Sequence, residues 1–260
     1  MSWNEVEVEM DGPVAVIRIA REGVLNALDL PVLGELHEAF GHIAPTDVGA
    51  IVLTGKGRAF SAGGDVAAMR RADDPEAFLY RLGGAIHRIV MDIQESPRPV
   101  VAAVNGPAVG AGLGIMLSCD VKVAARSARL STGFLKVGLA PGCGTWLLAA
   151  HLSYARSMEV LLTSRFVDAG EALEIGLVSE VVDDDRLMER AMEVAGVLAR
   201  MPPIAIARAK SLMQRAYASQ LREHLDLERR YLSASGSTAE FAEGTAAFGE
   251  KRHPRFRRFD

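Results

Sequence analysis

The stretch Val100-Val101-Ala102-Ala103-Val104-Asn105-Gly106-Pro107-Ala108-Val109-Gly110-Ala111-Gly112-Leu113-Gly114-Ile115-Met116-Leu117-Ser118-Cys119-Asp120 decides how this chain folds. From Val100 to Cys119 it has no charge, and on length alone it could span a bilayer. Asn105-Gly106-Pro107 and the glycines at 110, 112 and 114 would interrupt a lipid-exposed helix badly. The same residues suit a strand over 100–104, a tight turn and the start of a buried helix. The stretch is read as interior, and no membrane association is expected.

On its N-terminal side, Ala50–Thr54 is another short apolar strand that ends at Gly55-Lys56-Gly57, and a helix is predicted over about 76–95. Val6–Met10 alternates with period two, and Val14–Ile19 resumes it after the turn Asp11-Gly12-Pro13. Asp29-Leu30-Pro31 reads as an N-cap with proline in the first helical turn. Leu33, Leu36, Phe40 and Ile43 then form an apolar stripe. On the C-terminal side, Val121–Ala125 is a further strand, and the glycine-rich turn Gly138–Gly144 precedes a helix from about Thr145. Short apolar strands alternating with helices predict an α/β fold whose sheet is covered on both faces. From about Asp185 the pattern is helical: 186–201, 204–217 and 221–233. That section is expected to pack on the core or on a neighbouring subunit.

A chain of 260 residues, 49% hydrophobic, can bury a substantial core. With 24% charged residues and a net charge of -4, it has no overall attraction to nucleic acid or anionic membranes. Cys119 and Cys143 fit neither a disulfide framework nor a zinc site, and no metal is expected. Met1–Glu7 carries acidic residues where a signal peptide would be basic, so a reducing cytoplasm is the expected location. The basic, phenylalanine-interleaved end Lys251–Asp260 reads as a solvated tail, or as a contact for ligand phosphates or another subunit.

Two glycine-rich turns each follow an apolar strand and open a helix. They are Gly57–Asp65, running into Val66-Ala67-Ala68-Met69, and Asn105–Gly114, running into Ile115-Met116-Leu117. Glycine lets a backbone approach a ligand closely, and the free N–H groups of a helix start favour developing negative charge. Two such turns facing one carbonyl oxygen would make an oxyanion hole. Either turn alone could be no more than a tight corner. Gly110-x-Gly112-x-Gly114 is not the dinucleotide fingerprint, and no turn ends in Gly-Lys-Ser/Thr.

Leu25–Leu28, Ala59–Asp65, Pro99–Asp120, residues 130–148, Glu159–Arg165, Ala169–Val182 and Phe248–Arg252 together resemble the enoyl-CoA hydratase/isomerase family, also called the crotonase superfamily. The resemblance implies a ClpP/crotonase-type spiral of ββα units over residues 1–195 with an acyl-CoA site. It also implies a helical region over 196–260 that builds a trimer or a dimer of trimers. It assigns the two oxyanion N–H groups to Gly64 and Ala111. Val24, Leu25, Ala27, Ala62, Asp65 and Val66 match positions that contact coenzyme A, which enters as part of the substrate and not as a separate cofactor.

The chain departs from the family pattern where protons are handled. The family's two glutamates align with Gly114 and Phe134, and the aspartate some relatives place in the Gly-Leu-x-Pro turn aligns with Gly142. General acid–base help is commonly worth about 10²–10⁴-fold, so hydration should suffer most. His87 and Asp65 are weak candidates for a base; one is open to reading as a surface or partly buried histidine, the other as an N-cap. Ser131, Thr132 and Cys143 are polar, with no activating partner visible in the sequence. The expected activity is therefore an oxyanion-stabilised enolate chemistry on an acyl-CoA thioester, with double-bond isomerisation or a related rearrangement favoured over hydration. The alternative is a catalytically silent acyl-CoA-binding scaffold. Nucleic-acid binding through the Lys251–Arg258 tail, known among members of the resembled family, is disfavoured by the net acidic charge.

Overall fold

In the computed structural model, residues 3–218 and 221–256 are described. Met1-Ser2 of the N-terminal reading and Arg257–Asp260 of the basic tail lie outside the described residues. In chain order the strands are β1 (Val6–Asp11), β2 (Val14–Ile19), β3 (Ala50–Gly55), β4 (Val100–Val104), β5 (Ala108–Val109), β6 (Val121–Ala125), β7 (Arg129–Ser131), β8 (Val167–Asp168) and β9 (Glu180–Val182). The helices are α1 (Leu30–Ile43), α2 (Val66–Arg70), α3 (Pro75–Glu95), α4 (Ala111–Ser118), α5 (Thr145–His151), α6 (Tyr154–Thr163), α7 (Ala169–Glu174), α8 (Leu187–Ala199), α9 (Pro203–Ala218), α10 (Leu221–Ser235) and α11 (Ala239–Gly249).

One sheet runs β1-β2-β3-β4-β6-β9, antiparallel only between β1 and β2. A small sheet, β5-β7-β8, stands apart from it. The apolar runs are continuous because both faces of the large sheet are buried. Ala15, Ile17, Leu53, Ala102 and Val104 face α1, α3 and α4, while Val14, Val16, Val52, Val101 and Val123 face Leu187, Ala191 and Ala195 of α8. Helix α8 runs across residue 195 and covers the sheet.

Local signals set the helix starts. The Asp29 carboxylate accepts the Val32 N–H at 3.1 Å, with Pro31 in the first turn. Asp74 does the same for Ala77 at 3.0 Å ahead of Pro75. The uncharged stretch divides into β4, a turn, β5 and α4, whose residues are all buried. Among the described residues no helix is long and apolar enough to cross a membrane. Helix α11 follows where no helix is predicted, and the strands β5, β7, β8 and β9, of two or three residues each, are too short for periodicity to mark.

Candidate active site

Strands β3 and β4 lie side by side and parallel, with Leu53 opposite Ala102 and Thr54 opposite Ala103. Both glycine turns therefore leave the carboxyl end of the same sheet, where open α/β sheets hold ligands. Hydrogen bonds stitch the turns together: Ser61 N–H donates to the Pro107 carbonyl and Val109 N–H to the Ser61 carbonyl, each at 3.0 Å. Asn105 accepts from Gly55 N–H at 3.3 Å and donates from Nδ2 to Gly57 O at 2.8 Å, clamping the second turn to the first. At Gly63 the backbone is left-handed (φ +88°), and a Cβ there would stand 2.6 Å from Val109 O and 3.6 Å from Ala111 N. Only glycine allows so close an approach.

Gly64 is flanked by two bonds to Leu28: Leu28 N–H to Gly63 O at 2.7 Å and Asp65 N–H to Leu28 O at 2.9 Å. Among the described residues no protein acceptor meets the Gly64 N–H itself. The same holds for Ala111, the first residue of α4, whose N–H has no carbonyl a turn behind it. Two unpaired donors beside interlocked turns can hold an oxygen that gains negative charge.

Beside Gly110 lies a cavity of about 10 Å³, walled by Gly114, Phe134, Cys143, Thr145 and Leu161 among others; that is space for roughly one water. A Cβ on Gly114 would meet Cys143 Sγ at 2.3 Å, so the thiol fills the place of a side chain there. The Phe134 ring passes Gly110 on the opposite wall, 3.7 Å from where a Cβ would be. Burial drives the Cys143 thiol well above its ordinary pKa, leaving it a neutral, apolar-like wall. Thr132 is hydrogen-bonded to Ser164 Oγ at 3.2 Å, and the Ser131 hydroxyl donates to Ser164 O at 2.9 Å.

The two candidate bases are held elsewhere. Asp65 caps α2 by accepting Ala68 N–H at 3.0 Å and lies 3.5 Å from Arg21 Nη2. His87 is buried on α3 with Nε2 2.6 Å from Gly142 O. Burial lowers its pKa, although the Gly142 carbonyl and Glu228 push the other way. Neither residue lines the cavity. Gly142 has no room for a carboxylate, since a Cβ would sit 2.3 Å from Leu232 Cδ2 of α10.

The residues matched to coenzyme A contacts fall on two neighbouring segments. Ala62 N–H donates to Leu25 O at 2.9 Å; Val24 is exposed, Leu25 half-buried and Ala27 buried, while Val66 opens α2 half-buried. Leu25 and Asn26 are both left-handed, at φ 54° and 56°. The wholly buried Asn26 holds this pair in place. Its Oδ1 accepts from Arg21 N–H at 2.9 Å, and its Nδ2 donates to Lys56 O at 2.9 Å and Ala59 O at 2.7 Å. Asn26 is an anchor of this segment that is absent from the contact positions named from the sequence, although asparagine's tolerance of left-handed backbone is a usable signal.

A second group of that kind lies behind the cavity wall. Glu228 of α10 accepts Thr145 N–H at 2.8 Å and the Thr145 hydroxyl on the same oxygen, Oε1. His224 Nε2 lies 2.6 Å from Thr145 Oγ1. The only local sign is His224-x-x-x-Glu228, two polar residues one helical turn apart on the face that carries Leu221, Leu225 and Leu232.

A family model described as enoyl-CoA hydratase/isomerase matches residues 9–258. A Mycobacterium tuberculosis protein named as a probable enoyl-CoA hydratase is 35% identical over 98% of this chain and 99% of its own length. The 1,2-epoxyphenylacetyl-CoA isomerase of Escherichia coli is 36% identical over 94% of each chain. The crystal structure of an enoyl-CoA hydratase from Mycobacterium avium subsp. paratuberculosis superposes with a TM-score of 0.89 at 31% identity, covering 99% of this chain and 100% of the other.

Proposed function

We propose, for a chain that belongs to the enoyl-CoA hydratase/isomerase family and has its crotonase-type fold, an enzyme that binds an acyl-CoA thioester and stabilises its enolate. The observation that carries this reading is the pair of unpaired N–H groups, Gly64 and Ala111, on two turns that hydrogen-bond to each other. The thioester oxygen takes both hydrogen bonds, and these strengthen as charge moves onto it. Val24, Leu25, Ala27, Ala62, Asp65 and Val66 bound the path of the coenzyme A portion, which comes and goes with the substrate.

Isomerisation or a related rearrangement is favoured over hydration. Addition of water needs a water molecule and two positioned proton carriers, and Gly114 and Phe134 supply neither. The test compares two substrates on purified protein. Conversion of 3-butenoyl-CoA to crotonyl-CoA, with hydration of crotonyl-CoA far slower, is the expected result. Efficient hydration of crotonyl-CoA would overturn the preference. A silent acyl-CoA-binding scaffold is the second reading, favoured by the absence of an ionised side chain among the cavity's lining residues; it predicts binding with no turnover of either substrate. Exposed apolar Ile204, Leu212 and Met213 on α9 support assembly as a trimer or dimer of trimers, which sedimentation equilibrium tests.

A further inference from the structure

We infer that Thr145, Glu228 and His224 form the proton relay of this site, with Thr145 the group that meets the substrate and Glu228 the carboxylate behind it. The inference rests on the enolate reading above. Thr145 lines the cavity that Gly110, Gly114 and Phe134 enclose. Thr132 and Ser131 are engaged with Ser164, and the Cys143 thiol is held neutral by burial. Among the described lining residues, Thr145 alone is hydrogen-bonded to ionisable side chains.

The geometry suits a relay. Thr145 Oγ1 donates to Glu228 Oε1 and accepts from His224 Nε2, 2.6 Å away. Glu228 is 4% exposed, and its second oxygen, Oε2, has no partner among the described residues. His224 is partly exposed and joins the pair to solvent. In the forward step the substrate Cα–H bond breaks and its electron pair enters the enolate held by Gly64 and Ala111. The proton goes to Thr145 Oγ1 as the threonine's own proton passes to Glu228 Oε1. Threonine is thus neutral before and after, and the carboxylate ends protonated. Reversal at another carbon of the acyl chain completes an isomerisation, and exchange through His224 lets solvent hydrogen enter.

A purely structural role would make Glu228 a cap for α5, whose own N-cap, Gly144, offers no side chain. One acceptor oxygen is enough for a cap. A buried carboxylate with its second oxygen unpaired is a costly way to provide one, and the oxygen that receives the proton, Oε1, is the one already bonded to the Thr145 hydroxyl. The fold also brings α10 to this turn along one helical face: Glu228 at Thr145, Leu232 against Gly142, and Ser235 Oγ accepting Ala140 N–H at 2.9 Å.

The experiment follows α-hydrogen exchange of 3-butenoyl-CoA in deuterium oxide for wild type, Glu228→Gln, Thr145→Val and Thr145→Ser, with acyl-CoA dissociation constants and thermal midpoints measured in parallel. Glu228→Gln and Thr145→Val are expected to bind within about threefold of wild type and to exchange about 10²–10⁴-fold more slowly. Thr145→Ser restores exchange, because it restores the hydroxyl. His224 on α10, His87 on α3 and Cys143 in the turn are the titratable groups that face Glu228. Wild-type exchange rates in Glu228→Gln or Thr145→Val would overturn the relay and leave the enolate reading standing. No exchange in wild type would overturn both. Should Glu228→Gln fail to fold, the Thr145→Val and Thr145→Ser pair decides.

Discussion

The two sides of the cavity are made of different material. Toward Gly64 and Ala111 the proposed working groups are backbone N–H donors, fixed by Gly63, the buried Asn26 and the half-buried Asn105. Toward Thr145 they are side chains, and the carboxylate comes from a helix 83 residues further along. The backbone side has few ways to vary, since its donors are present in every residue and need only the right conformation. The side-chain side can be rebuilt by any element that reaches the wall. In this chain a cysteine fills the space at Gly114, a phenylalanine stands at position 134, and α10 supplies the polar group. On the proposed reading, electrostatic preorganisation is carried by local geometry, and proton transfer by long-range packing.

The sharpest way to break the backbone side is Gly63→Ala. The left-handed φ and a Cβ 2.6 Å from Val109 O force the turns apart, and the expected loss of turnover is about 10²–10³-fold, the effect of losing an oxyanion donor. Steady-state kinetics with unchanged circular dichroism checks it. Asn26→Ala removes three hydrogen bonds from a wholly buried side chain. It should cost about 2–6 kcal/mol in urea unfolding, since Ala59 O keeps a bond from Asn105 while Arg21 N–H and Lys56 O are left unpaired at about 1–3 kcal/mol each, and it should weaken acyl-CoA binding.

On the other side, Gly114→Ala should cost about 1–3 kcal/mol through overpacking against Cys143. Cys143→Ala in the same chain should recover part of that loss, as a double-mutant cycle will show. Gly114→Glu should not create a hydratase. The smallest effect belongs to His224→Gln. Hydrogen bonding to Glu228 raises the His224 pKa above 6.5, so its stabilisation is complete below that pH and fades as pH rises through the raised value. The variant's deficit in thermal stability should be largest near pH 5–6 and close at alkaline pH, staying under about 1 kcal/mol because the pair is partly exposed.

Much of the fold is legible in short windows. Asp29, Asp74 and the prolines after them mark helix starts, and doubly buried strands mark themselves by unbroken apolar runs. The Gly57–Asp65 and Asn105–Gly114 turns are legible for the same reason, since the glycines that shape each of them neighbour one another in sequence. Strands of two or three residues, such as β5 and β8, leave no periodic trace and exist because the tertiary structure pairs them. His224 and Glu228 are illegible for another reason. On α10 they read as ordinary polar residues at the edge of an apolar stripe, and nothing local says that Thr145 lies opposite.

That 83-residue separation also bears on how the molecule assembles. Contacts so distant in sequence carry a large loop-closure cost and tend to form late. A growing or refolding chain can therefore close its sheet and set both glycine turns before α10 docks. It would already hold the donors for a thioester oxygen while still lacking the carboxylate behind Thr145. Regain of binding and regain of turnover after dilution from denaturant should then follow separate clocks, with docking of α10 setting the slower one.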